Sequence, residues 1–502
     1  MRSMRFFAGA ALALTVLWPA SARTEPPAAV PDKVSYARDV LPIFQQHCVG
    51  CHQPAKSGGS YVMTSRDELL KKGESDEPGV VPGKPDASHI VAQISASDGK
   101  PPAMPKNKPP LSPNEIALIS KWIAQGAIDD TPATARIRID ADHPPAYALP
   151  PVITAVEFSP DGSLLAVSGY HEVLLYKADG SGLLARLIGL SERVQSLAFS
   201  PDGKSLAVAG GSPGRFGEIQ VWDVARRRLK LSHTVTADTL YGASWSPDGT
   251  KIAFGCADNT LRAIEATSGK QVLFQGAHND WVLDTAFSRE GDYLVSVSRD
   301  MTMKLTEVAT QRFIDNVTSI TPGVLKGGLQ TVARRPLKER KKVVVKPDSG
   351  QTALEVGDVT RDRVYDELLI GGSDGTPRLY KMHREKKRVI GDDANKVREY
   401  EALPGRLWSV AFSSDGERFA ASSSNDGKGE VRVYQTGTGQ RVCTFEGQKG
   451  GVFAVAFRPD GKVVASAGFD GAVRLNDAQT GKLIKEFVGV PVAPPGSSSA
   501  KK

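Results

Sequence analysis

Cys48, Val49, Gly50, Cys51 and His52 place two of the chain's four cysteines three positions apart with a histidine directly behind, in the stretch QHCVGCHQPA of a 502-residue sequence. Thiols at this spacing can engage the same object, and three chemistries use them so. A structural zinc site takes four ligands, usually completed by a second C-x-x-C or H-x-x-H pair. The nearest candidates here are His47, His52 and His89, and no second pair exists. A redox dithiol belongs in a βαβ setting, whereas YARDVLPIFQQHCVGCH reads as a helix with Val40, Ile43 and Phe44 on one face. Covalent haem attachment uses all three residues: both thiols add across vinyl groups as thioethers, and the adjacent histidine is held at the iron as proximal ligand.

The residue on the opposite face of such an iron decides between carrier and catalyst, since an open position binds small molecules and a filled one favours electron transfer. Met104 stands out among the seven methionines, 52 residues after His52 in a proline-rich loop, DGKPPAMPKNKPPLSP, that leads into a well-marked helix. Ser112 is its N-cap, Pro113 takes the first helical position, Glu115 completes a capping box and Leu111 can staple to Ile116. Ile116, Ile119, Trp122 and Ile123 share one apolar face and Gly126 ends the run, so this helix can pack on the one that carries the haem motif. Met63 and His89, the latter at the start of HIVAQI, are the rivals for the distal position.

The chain opens MRSMRFFAGAALALTVLWPASARTEPP, with Arg2 and Arg5, an apolar run from Phe6 to Trp18, then Ala20-Ser21-Ala22. That layout predicts a secretory signal peptide over 1–22, cut near Ala22. As a membrane anchor the run falls short of the roughly 20 residues a spanning helix needs. No later stretch is apolar enough to span, so the mature chain is expected to be exported and water-soluble, periplasmic in a Gram-negative cell. Cys256 and Cys443 fall in different repeats and read as separate thiols, not a disulfide framework. The formal charge of +7 becomes +5 once Arg2 and Arg5 are removed, a mild basicity that makes no case for a nucleic-acid partner.

Two textures divide the remainder. Residues 31–130 read as a small all-α domain with proline-rich loops, and 131–149 as a linker. Between 150 and 488 one unit recurs: VEFSPDGSLLAVSG from Val156 returns as LAFSPDGKSLAVAG, ASWSPDGTKIAFGC, TAFSREGDYLVSVS, VAFSSDGERFAASS and VAFRPDGKVVASAG. Its aromatic anchors Phe158, Phe199, Trp245, Phe287, Phe412 and Phe457 are 41, 46, 42, 125 and 45 apart. The long gap holds one more unit, GGLQTVARRP with ELLIGGSDGTPRLYKM, split by an insertion over 337–364. In a unit such as the first, apolar strands flank S-P-D-G, where proline presets the first turn position and glycine closes the hairpin. Four strands per unit, seven times over, predict an all-β seven-bladed propeller whose radial closure buries faces that no blade covers alone. The tail over 489–502 is predicted to be disordered. The basic runs RRPLKERKKVVVK and HREKKR read as a solvated loop or as a surface that steers an acidic partner.

On these units the second region resembles the WD-repeat family. Trp222-Asp223 matches its dipeptide, Gly276-Ala277-His278 approximates its glycine–histidine corner, and Asp258, Asp300, Asp374, Asp426 and Asp470 occupy its tight turn. Only one unit keeps both Trp and Asp, and most lack the histidine. YARDVLPIFQQHCVGCHQPAKSGG, VVPGKPDASHIVAQI and MP…LSPNEIALISKWIAQGA, in that order, resemble the planctomycete type of cytochrome c domain over most of 34–128. That resemblance implies one covalently attached haem c, with Cys48 and Cys51 as attachment points, His52 as proximal ligand and Met104 as distal ligand. The expectation is an electron-transfer protein rather than an enzyme, with unidentified redox partners and a protein docked on the propeller. The alternative is a periplasmic haem enzyme with a second active site or ligand in the propeller, since haem d nitrite reductases also join a cytochrome c domain to a propeller. The histidines His171, His233, His278 and His383 form no recognisable cofactor motif there.

Overall fold

The computed structural model describes residues 30–492, apart from 98, 107, 133–138, 277, 322–323, 337–341, 344–362, 365, 386–388 and 390. The predicted signal peptide, most of the insertion and the tail beyond 492 lie outside the described residues. A π-helical turn, Tyr36–Val40, capped by the Ser35 hydroxyl, runs into α1, Leu41–His47. The predicted helix stops there. Cys48–Cys51 fold into tight turns instead, with Cys51 N and His52 N donating to Cys48 O at 3.0 and 3.1 Å. Two short strands, β1 (His52–Gln53) and β2 (Lys56–Ser57), pair antiparallel. Helices α2 (Arg66–Leu69), α3 (His89–Ile94) and α4 (Pro113–Ala124) follow. The domain is therefore small, with few helices and a β1–β2 pair in place of the expected all-α chain, because prolines and glycines break the backbone between elements.

The longest helix among the described residues, α4, begins as predicted, with the Ser112 hydroxyl accepting from Glu115 N and the Glu115 carboxylate accepting from Ser112 N. It buries Ile119, Trp122 and Ile123. Tyr36 stacks on Trp122 at 5.1 Å and Phe44 meets its edge at 6.4 Å, so α4 packs directly on the segment that leads into Cys48. Each such burial contributes roughly 1.5–3 kcal/mol.

The β region starts with one seven-stranded sheet in chain order: β3 (Val156–Phe158), β4 (Leu164–Ser168), β5 (Tyr170–Lys177), β6 (Leu183–Phe199), β7 (Ser205–Ser212), β8 (Phe216–Asp223) and β9 (Arg228–Thr236). It is two four-strand groups joined by the 17-residue β6, whose Leu187 pairs with Val173 of β5 and whose Leu197 pairs with Val208 of β7. Four-stranded antiparallel sheets follow, beginning at Leu240, Val282, Leu329, Arg406 and Val452. The sheet from Leu329 unites the split unit, since Leu329–Arg334 pairs with Glu367–Gly372 across the insertion. The described arginines of the two basic runs are paired within the fold, Arg334 with Asp366, Arg335 with Glu367 and Arg384 with Asp392.

The S-P-D-G turns form as their residues dictate. Gly162 takes φ of +71° and its N–H donates to Ser159 O at 2.8 Å, while Ser159 Oγ donates to Asp161 at 2.5 Å. The serine-to-aspartate bond recurs at Ser200, Ser246 and Ser413. Neighbouring sheets share apolar clusters, and the last meets the first: Val156, Leu165 and Leu174 pack with Ala465, Val473 and Leu475. Ile153 N donates to Gly468 O at 2.9 Å, and Tyr147 bridges Val492 in parallel. The sheets close on one another as in a propeller, through packing and single backbone links. Among the described residues no helix is long and apolar enough to cross a membrane.

Candidate functional site at the C-x-x-C-H turn

Nδ1 of His52 lies 3.0 Å from the Tyr61 carbonyl, and Met63 N donates to His52 O at 2.8 Å. A carbonyl at Nδ1 makes that nitrogen the N–H and leaves Nε2 as lone-pair donor, the orientation that metal-bound imidazoles take. Tyr61 is anchored in turn, its hydroxyl donating to Leu69 O at 2.6 Å. Gly58 passes beside the ring, where a Cβ would stand 3.7 Å from His52 Cε1. Cys48 packs on the domain core and Cys51 is exposed, both as free thiols. Burial pushes the Cys48 thiol up to about 12, the reverse of the lowered value that makes a redox dithiol reactive.

Met104 packs half-buried against the same core as Cys48 and Tyr61, and its N–H donates to Gln93 O at 2.9 Å. The rivals are otherwise engaged. Met63 is buried in that core, and His89 Nδ1 meets the Glu77 carboxylate. His47 Nε2 sits 3.1 Å from Glu115 Oε1. Among the described residues no three His, Cys, Asp or Glu side chains converge as a metal cage, so a zinc site has no ligand set beyond the C-x-x-C-H turn itself. Two thiols on one turn, an oriented imidazole and a thioether on the same core fit a covalently attached haem. Sequence reasoning missed Tyr61, whose contribution is a backbone carbonyl that no residue type announces.

Comparison with known proteins settles what the two regions are. The family described as Planctomycete cytochrome C matches residues 48–108, and that described as WD domain, G-beta repeat matches 228–264, 269–306, 396–429 and 439–477. The chain is a fusion of a planctomycete cytochrome c domain with WD repeats. Among curated relatives, serine-threonine kinase receptor-associated protein of Gallus gallus is 23% identical over 48% of this chain and 68% of its own length. WD repeat-containing protein 1 of Bos taurus is 31% identical over 21% of this chain and 20% of its own. WD repeat-containing protein 26 homolog of Arabidopsis thaliana is 22% identical over 64% and 47%. This chain thus spans about two thirds of the first relative and half or less of the other two.

The WD repeats carry their own polar site in the one unit with a corner histidine. His278 Nδ1 lies 3.0 Å from Asp300 Oδ2, and Nε2 lies 2.8 Å from Ser296 Oγ. Burial would raise the Asp300 carboxyl, but hydrogen bonds from His278 and Thr302 and the charge on His278 hold it well below the ordinary carboxylate range. Three units without the histidine use an arginine four residues after the turn aspartate: Arg262 with Asp258 at 2.6 Å, Arg378 with Asp374 at 2.7 Å and Arg474 with Asp470 at 2.6 Å. Inner strands of the WD repeats line a cavity of about 1170 Å³. Arg299 lies over Trp281 at 4.8 Å and Arg406 over Trp408 at 5.4 Å on its wall. Burial pushes the wall carboxyls of Glu157 and Asp284 up to about 8 and about 6.

Proposed function

We propose that this protein is an exported mono-haem c-type cytochrome that carries one electron at a time, with a seven-bladed WD-repeat propeller as its protein-docking module. The observation that carries the reading is the C-x-x-C-H turn whose His52 is fixed through Nδ1 to the Tyr61 carbonyl, beside a core that also receives Met104. Haem c would supply a one-electron iron couple. Cys48 and Cys51 would anchor it, His52 Nε2 would be the proximal ligand and the Met104 sulfur the distal one. The residues themselves do the rest: Tyr61 orients the imidazole, and Phe44, Trp122 and Ile119 keep water from the core beneath the turn. The count of seven blades follows if β6 serves as outer strand of the first blade and inner strand of the second.

The export signal over 1–22 supports the same reading, since bacterial c-type haem is attached outside the cytoplasmic membrane. Redox partners would meet the haem domain while the propeller holds a docked protein. The test is Met104→Ala in cells competent to mature c-type cytochromes. Haem should stay covalently attached by mass, while the long-wavelength sulfur-to-iron band of the oxidised protein is lost. Persistence of that band would assign the sulfur to another residue, and wild-type protein without an added porphyrin would end the proposal.

A further inference from the structure

The C-x-x-C-H turn does not face solvent on all sides, because one side lies against β9, the outer strand of the second four-strand group. Thr234 Oγ1 donates to Gln45 O at 2.9 Å, and Lys56 Nζ donates to Lys230 O at 2.9 Å. At Gly50 the two backbones come so close that a Cβ would stand 2.5 Å from Ser232 O. Apolar side chains cross in both directions. Ala55 packs on the core of Leu187, Trp222 and Leu229, and Leu190 of β6 packs on the core of Phe44 and Trp122.

Ser232 is held from behind. Its hydroxyl donates to the Glu218 carboxylate, which also accepts from Ser191 Oγ at 2.7 Å and from Gln220 Nε2 at 2.8 Å. Trp222 Nε1 then fixes Gln220 by donating to its Oε1 at 2.9 Å. Glu218 is 1% exposed. Three side chains, none of them a cation, thus converge on this one buried carboxyl. The Glu218 carboxyl therefore sits inside the propeller directly behind the residue on which Gly50 rests.

We propose that this patch of the propeller is a fixed seat for the haem-attachment turn, with Ser232 and Glu218 as positioning residues that couple the iron's electrostatics to the propeller. The inference rests on the haem reading of Cys48, Cys51 and His52. Oxidised iron carries one more positive charge than reduced iron, so an ionised Glu218 at the seat favours the oxidised state and holds the midpoint potential down. The seat also makes the two domains move as one body and leaves partners only the faces that β9 does not cover.

The test uses the full-length, haem-loaded protein. Glu218→Gln keeps the side chain's shape and removes its charge. The midpoint potential in a spectroscopic redox titration should move upward, with haem still covalent by mass and the propeller's unfolding transition retained. An unchanged potential in that folded, loaded variant overturns the electrostatic coupling. The seat is tested separately, by placing a protease site in the 131–149 connector and cutting it. The halves should co-elute on size exclusion, and in Gly50→Val they should come apart; wild-type halves that separate overturn the seat. Because this second measurement works with or without haem, failure of the haem reading would show in the mass of the wild type and not in the elution.

Discussion

A single hydrogen bond at one ring nitrogen settles what the other can do, and the histidines of this chain divide on that basis. His52 spends Nδ1 on a carbonyl, which leaves Nε2 as the lone-pair nitrogen, whereas His278 spends both nitrogens inside the propeller, on Asp300 and Ser296. The His278–Asp300 pair is buried, with side chains 1% and 6% exposed, so removing one partner strands the other. Asp300→Asn should cost about 3 kcal/mol at neutral pH in urea unfolding. The folded carboxyl lies below its unfolded value, so its stabilisation is in place above the ordinary carboxylate range and is lost as pH falls through it. The gap between wild type and Asp300→Asn should therefore be widest near neutrality and narrow as acid is added; a gap that grows in acid would refute the assignment. Cys48, Cys51, His52 and Met104 were visible as candidates because residue type and spacing single them out. The arginines that replace the corner histidine were not, since Asp-x-x-x-Arg has meaning only once the tight turn brings position four back over the aspartate.

Elements were legible where local chemistry dictates them. The Ser112–Glu115 capping box is a property of four consecutive residues, and it forms as read. Glu115 does more than cap, because it also meets His47, the last residue of α1. Burial would raise its carboxyl, but bonds from Ser112 and His47 leave it lowered overall. Ser112→Ala should cost about 1 kcal/mol in thermal unfolding, and Glu115→Ala should cost more, because it removes the tie between α4 and α1 as well as the cap. Equal losses would mean that the His47 contact carries nothing. The end of α1 at His47 was not legible, since nothing in Cys-Val-Gly-Cys forbids another helical turn; close approach to β9 accounts for it. His233, on β9, is lowered to about 4, first by burial and then by the charges of Lys108 and Arg262. A histidine lowered from 6.5 binds its proton more readily in the unfolded chain, so stability should fall as pH drops from about 6.5 through 4. His233→Gln should flatten that slope in pH-dependent denaturant titrations.

Closure of the ring is the feature furthest from the sequence's reach. It depends on pairs such as the Tyr176 hydroxyl donating to Gly489 O, 313 residues away, and no periodicity encodes which end meets which. The repeats do require some closure, because each sheet has two faces and the first and last would each leave one bare in an open row. Ile153 sits at that joint, fully buried, with its N–H on Gly468 O. Ile153→Ala should cost about 2–5 kcal/mol. How the loss appears matters more than its size. If closure couples all the sheets, the variant should still unfold in one transition at lower denaturant, since opening the joint exposes the faces of both end sheets together. If the sheets behaved as a linear array, the same variant would fray from its ends and give a separate early transition that leaves the sheets from Leu240 to Arg406 intact. Tryptophan fluorescence from Trp222, in the first sheet, and Trp281, just before the sheet from Val282, would report the two ends of that difference in variants retaining one of these tryptophans, and coincident curves are the outcome that ring closure demands.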